Sequence, residues 1–228
     1  MCVTVIFPMS SIEETFDDNK KMGSIITLVA LISVVMSIFG IILSAAIYNV
    51  NVIAAVLMMI GTIIYAYLSY QFGVELRDNS ADKAPIPFIT NVLGPFIDHS
   101  HSLTRASIFA GIVKLMGMGL IIVGIFYIIS SIVVGLGVLI GGYVLLVVIG
   151  FVFLWASREI LIGGSHSFMW ILLVILFALA LIGSLFLLVS GLVALSIVIV
   201  AMGLMLLILS GYALYLALSN EVKAQMGT

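Results

Sequence analysis

Apolar residues gather in three long blocks, Ser24 to Phe72, Ala106 to Ser157 and Ser167 to Ser219, separated by short polar stretches. Each block is about fifty residues, while one bilayer crossing takes about 20. Two helices and a tight turn therefore fit in each. Such a turn needs small or polar residues near mid-block, and Asn49-Val50-Asn51, the stretch 130–137 and Ser190-Gly191 supply them. The pattern predicts an all-α integral membrane protein with six transmembrane helices arranged as three hairpins.

The polar stretches complete the organisation: an N-terminal segment 1–23, hairpins 24–72, 106–157 and 167–219, a linker 73–105, a loop 158–166 and a tail 220–228. In the linker, Pro85 and Pro87 stop any helix arriving from the second span. Beyond them Phe88, Ile89, Val92, Leu93, Phe96 and Ile97 recur at near-helical spacing. This predicts a short amphipathic helix lying along the membrane face, its apolar stripe in the headgroup region. Gly94-Pro95 interrupts the stripe, and two half-turns or a re-entrant dip are the alternatives.

Charge turns this pattern into a topology. Lys20, Lys21, Arg77, Lys83, Arg105, Lys114, Arg158 and Lys223 all fall on one side of a six-span chain, and the three opposite turns carry none. Short loops rich in Lys and Arg stay in the cytoplasm. The expected location is the cell membrane, multi-pass, with both termini cytoplasmic. Tyr65, Tyr67, Tyr70, Trp155, Trp170, Tyr212 and Tyr215 fall near the same ends, as an interfacial belt would. The run from Cys2 to Pro8 lacks the basic flank of a cleaved signal, so span 1 is read as the insertion signal. Ser11 and Glu14 have capping-box spacing.

Little chemistry competes with this picture. A single cysteine, Cys2, excludes an internal disulfide. Asp98, His99 and His101, with His166 one loop later, carry metal-ligand chemistry, but helical His spacing and inward carboxylates are missing. Histidines within the spans, which a membrane haem needs, are absent, and no cofactor is expected. Lys114 is the one ionisable residue near a span interior and is expected to snorkel outward. Paired intramembrane aspartates, Gly-x-Ser-x-Gly and His-Glu-x-x-His do not occur, so an enzyme is not expected. With a net charge of -2 and no run of basic residues, neither nucleic acid nor strongly anionic lipid is an expected partner.

Small residues mark candidate helix-packing faces: Gly40 with Ser44, Ser107 with Gly111, and Gly137 with Gly141, each four apart. A hairpin repeat is suggested by Gly61 with Gln71, Gly150 with Glu159, and Gly211 with Glu221. Two functions fit. The first is a non-catalytic accessory or scaffold subunit, held in the bilayer and bound to a membrane-protein partner or to copies of itself. The alternative is a small transporter or channel for a neutral or apolar solute. A dry, packed interior separates the first from the polar midplane cavity that the second requires.

Overall fold

The computed structural model describes residues 14–47, 52–80, 94–98, 103–135, 137–164, 166–193 and 197–228. It is an all-α multi-pass membrane protein: α1 (Asn19–Ile47), α2 (Val52–Asp78), α3 (Arg105–Val134), α4 (Gly137–Ile162), α5 (Ser167–Val193), α6 (Ile197–Ala217) and the short α7 (Asn220–Gln225). Helices α1 to α6 are each long and apolar enough to cross a membrane. Once the chain enters lipid, its backbone must satisfy its own hydrogen bonds, and a continuous helix does so.

Consecutive helices pair as three hairpins, α1 with α2, α3 with α4 and α5 with α6. Between hairpins, α2 packs on α3, and α6 on both α1 and α3, so these four helices enclose the interior. Phe177 of α5 joins Phe109 of α3 and Phe153 of α4 at ring separations of 5.9 and 5.6 Å. The outer surfaces of α4 and α5 are apolar and exposed at Leu145, Val148, Phe151 and Val152, and at Ile171, Ile175, Leu179 and Ile182. Helical spacing puts each set on one outward face.

Helix pairs close most tightly where glycine lets backbones meet. In α1–α2, a Cβ on Gly23 would lie 2.6 Å from the Gly73 carbonyl oxygen and from the Arg77 nitrogen. In α3–α4, a Cβ on Gly117 would lie 2.8 Å from the Gly150 oxygen, and one on Gly150 2.7 Å from the Gly117 oxygen. Without a hydrophobic force between helices in lipid, such close packing supplies much of the association energy. These contacts join residues distant in sequence.

Several expectations change. Ser190 and Gly191 do not form the third turn, because α5 continues to Val193 and Gly191 packs against Val200 across the hairpin. Ser130 and Ser131 likewise stay within α3, which ends on Gly135 in the left-handed conformation at φ 78°. The Asn49–Asn51 turn and Ser11 lie outside the described residues. The observed capping box is Thr104 with Ser107 at the start of α3. Asp18 caps α1, its Oδ1 accepting from the Lys20 and Lys21 amides at 3.0 and 3.1 Å. The Lys21 amide bond in particular holds the exposed Asp18 carboxyl below its ordinary 3.8.

Tyr212 is fully buried rather than interfacial, and the Tyr65 ring is wedged on Gly119 with its hydroxyl donating to Met116 Sδ at 3.2 Å. Trp155 is 57% exposed, in keeping with the predicted belt. The three glycines of the suggested repeat have unlike surroundings. Gly61 meets Phe126 of the next hairpin, Gly150 meets its own hairpin partner, and Gly211 has only Leu181 at 3.7 Å.

Candidate functional site

The most polar buried position belongs to Glu75, a residue expected in the linker. Helix α2 runs on to Asp78, because Phe72, Val74 and Leu76 extend its apolar character and all three are buried. That extension carries Glu75 inside the bundle, where its side chain is fully enclosed. One turn earlier Gln71, equally buried, donates through Nε2 to Glu75 Oε1 at 3.2 Å. Residues at i and i+4 share a helix face, which accounts for the pairing.

The second carboxylate oxygen captures the chain beyond the prolines. Glu75 Oε2 accepts from the Phe96 amide at 2.8 Å and the Ile97 amide at 3.1 Å. Residues 94–98 are not helical; Gly94 is left-handed at φ 67°, and Phe96 and Ile97 are 3% and 0% exposed. These described residues are not helical, as an amphipathic surface helix would be; Phe96 and Ile97 turn in against the bundle, while Pro95 and Asp98 are exposed. An interfacial helix would have left Phe96 half in headgroups, whereas here its ring meets Phe72 edge-on at 6.3 Å. Residues 81–93, with Phe88, Ile89, Val92 and Leu93, lie outside the described residues.

Two residues of α3 complete the clasp. A Cβ at Gly111 would stand 2.9 Å from the Phe96 oxygen, so only glycine admits the backbone there. Lys114 sits about two and a half turns, or about 13 Å, into α3. Its half-buried ammonium donates to the Pro95 carbonyl at 2.8 Å, lies 5.7 Å from the Phe96 ring centre and acts through space on Glu75. The ammonium thus reaches a carbonyl of its own chain at exposed Pro95. Negative Glu75 binds the amides of the segment and positive Lys114 its carbonyl. Hydrogen bonds to charged groups contribute about 1.5–3 kcal/mol each, roughly twice a neutral one.

The chain ends dock at the same charged end. Asp17 Oδ1 accepts from Arg105 at 2.6 Å and from the Tyr215 hydroxyl at 2.7 Å, while Phe16 packs on Tyr212 and Tyr215. The C-terminal tail is stitched to the α4–α5 loop. There the His166 amide donates to the Met226 carbonyl at 2.9 Å, and Val222 and Met226 are fully buried. Trp170 Nε1 adds a bond to the Ala217 carbonyl at 2.8 Å.

Of the four residues predicted to bind metal, Asp98 and His166 are among the described residues. Asp98 lines a cavity of about 430 Å³ with Thr104, Ser107, Ile160, Glu221 and Gln225. His166 is not in that lining, and its Nε2 lies 3.5 Å from Glu159. His99 and His101 lie outside the described residues, and among the described residues no three His, Cys, Asp or Glu side chains group as metal ligands.

The predicted packing glycines and serines divide similarly. Gly40 is buried, while the Ser44 side chain lies outside the described residues. Ser107 spends its hydroxyl on the α3 cap, and Gly111 receives the backbone at Phe96 rather than a helix. A Cβ on Gly137 or Gly141 would meet nothing within 4 Å among the described residues. Comparison with protein-family models, curated proteins and solved structures finds no match.

Proposed function

We propose that this protein is a non-catalytic scaffold of the cell membrane, presenting its braced charged end in the cytoplasm and holding a membrane-protein partner or further copies of itself against its outer helices. The observation that carries this reading is where the buried polar groups spend their hydrogen bonds. Hydroxyls of Thr27, Ser37, Thr62, Ser69 and Ser210 donate to carbonyls of their own helices three or four residues back. The buried carboxylate binds its own chain. A solute path needs polar groups directed at the solute, whereas these are committed to the fold.

Outward small residues support the same reading. Gly137, Gly141 and Gly142 lie at the uncharged end of α4, where an added Cβ meets nothing among the described residues. Close approach by another helix suits such a surface. The cytoplasmic placement of the charged end rests on the positive-inside rule. A cysteine introduced at exposed Ser190, in a background lacking Cys2, is expected to react with an impermeant maleimide only from outside the cell. Labelling only from the cytoplasm would reverse the topology.

Purification of a tagged chain from its native membrane in mild detergent, followed by mass spectrometry, is expected to recover one membrane partner at fixed stoichiometry or a homo-oligomer. A bare monomer, together with saturable flux of a neutral solute into liposomes, would replace this reading with a transporter.

A further inference from the structure

The close crossing at Gly23 and Gly73 brings Arg77 of α2 against the first turns of α1. Sequence alone shows only the pair Lys20-Lys21, with Arg77 far away. In the fold all three cations line one open cavity of about 610 Å³ with Thr15, Ser24 and Ile25. Lys20 makes no side-chain ion pair among the described residues. Lys21 reaches Glu14 at 3.4 Å and Asp18 at 3.7 Å, with the Lys21 and Glu14 side chains more than half exposed. Exposed pairs of this kind contribute little and exchange partners readily. Arg77 uses Nε and Nη2 on its neighbour Asp78. A guanidinium carries five N–H donors, so donors remain. Asp18, the one carboxylate in the lining, has Oδ1 turned to the Lys20 and Lys21 amides.

The surface below this cavity is of opposite character. Lys21, Ser24, Leu28, Leu31, Ile32 and Val35 follow helical spacing along one exposed side of α1, and the last four are 42–58% exposed. A cationic pocket therefore stands at the rim of the spans, at headgroup depth, directly above an apolar lane. We propose that this groove is a binding site for an anionic phospholipid. Its phosphate is held by Lys20, Lys21 and Arg77, its headgroup hydroxyls meet Thr15 and Ser24, and its acyl chains lie along Leu28 to Val35. The lane favours a lipid over free phosphate, because an inorganic anion has no use for four exposed aliphatic residues. The inference depends on the spans alone and not on the scaffold reading.

Each basic side chain near a headgroup multiplies affinity by about fivefold, and Glu14, Asp18 and Asp78 offset part of this, so losing all three costs about tenfold. The full chain would be purified in detergent containing phosphatidylglycerol and phosphatidylcholine at equal amounts, and retained lipid counted by mass spectrometry. Phosphatidylglycerol is expected in about tenfold excess. K20Q/K21Q/R77Q should abolish the excess, and K223Q, outside the groove, should keep it. K20Q alone, at an exposed side chain, should reduce the excess by about fivefold with an unchanged melting temperature, which covers the case of a misfolded triple variant. Equal retention of the two lipids, or an excess unaltered in K20Q and in the triple variant, overturns the proposal. Displacement of the lipid by millimolar inorganic phosphate would assign the pocket to the free anion and overturn it equally.

Discussion

Replacing Glu75 by alanine is expected to destabilise the protein by about 3–5 kcal/mol, the range for removing one partner from a buried charged network. The substitution strands the buried amides of Phe96 and Ile97 and the Gln71 side-chain amide, and removes the charge that acts through space on the Lys114 ammonium. Reversible unfolding in mixed micelles titrated with dodecyl sulfate measures the cost. Glu75→Gln keeps an acceptor oxygen and loses the charge, so about 1.5–3 kcal/mol is expected there. Hydrogen exchange adds a local readout: the Phe96 and Ile97 amides should lose protection in the alanine variant before the α3–α4 contact does. A cost below about 1 kcal/mol would mean that burial of Phe96 and Ile97 anchors the segment unaided.

Glu75 escaped the sequence reading for a definable reason. A crossing of about 20 residues ended the second span near Phe72, which made every later charge a loop charge. Yet Phe72, Val74 and Leu76 alternate around Gly73 and Glu75, and that continued apolarity was a signal for a longer helix. Gln71 with Glu75, four apart, was a second sign, since two polar residues on one helix face need each other inside an apolar bundle. The spans themselves were legible because hydrophobic length is a property of the chain alone. Faces were not: Tyr212 and Trp155 are equally aromatic and equally near a span end, and only the position of neighbouring helices buries one and exposes the other. Nor could sequence unite Lys20, Lys21 and Arg77, whose proximity follows from a helix crossing.

The same limit explains the glycines. Pairs four apart on one helix were the available pattern, but close backbone-to-backbone approaches join single glycines on facing helices. Gly150→Leu is therefore expected to destabilise the α3–α4 hairpin by about 3 kcal/mol, at the upper end of ordinary overpacking. Its Cβ alone would lie 2.7 Å from the Gly117 oxygen and 2.6 Å from Ile121 Cγ1. The first obstacle is backbone, which cannot rotate aside as a side chain can. Gly117→Leu should cost as much from the opposite side, facing the Gly150 oxygen at 2.8 Å. Combining the two should cost less than their sum, because the first already forces the helices apart. Gly141→Leu meets open space, and in an isolated monomer it should change stability by no more than about 0.5 kcal/mol. If Gly141→Leu is neutral in the monomer but weakens an assembly isolated from native membranes, the outward glycines of α4 are contact points for another helix. Equal losses at Gly141 and Gly150 in the monomer would instead remove the distinction between inner and outer glycines on which the packing account stands.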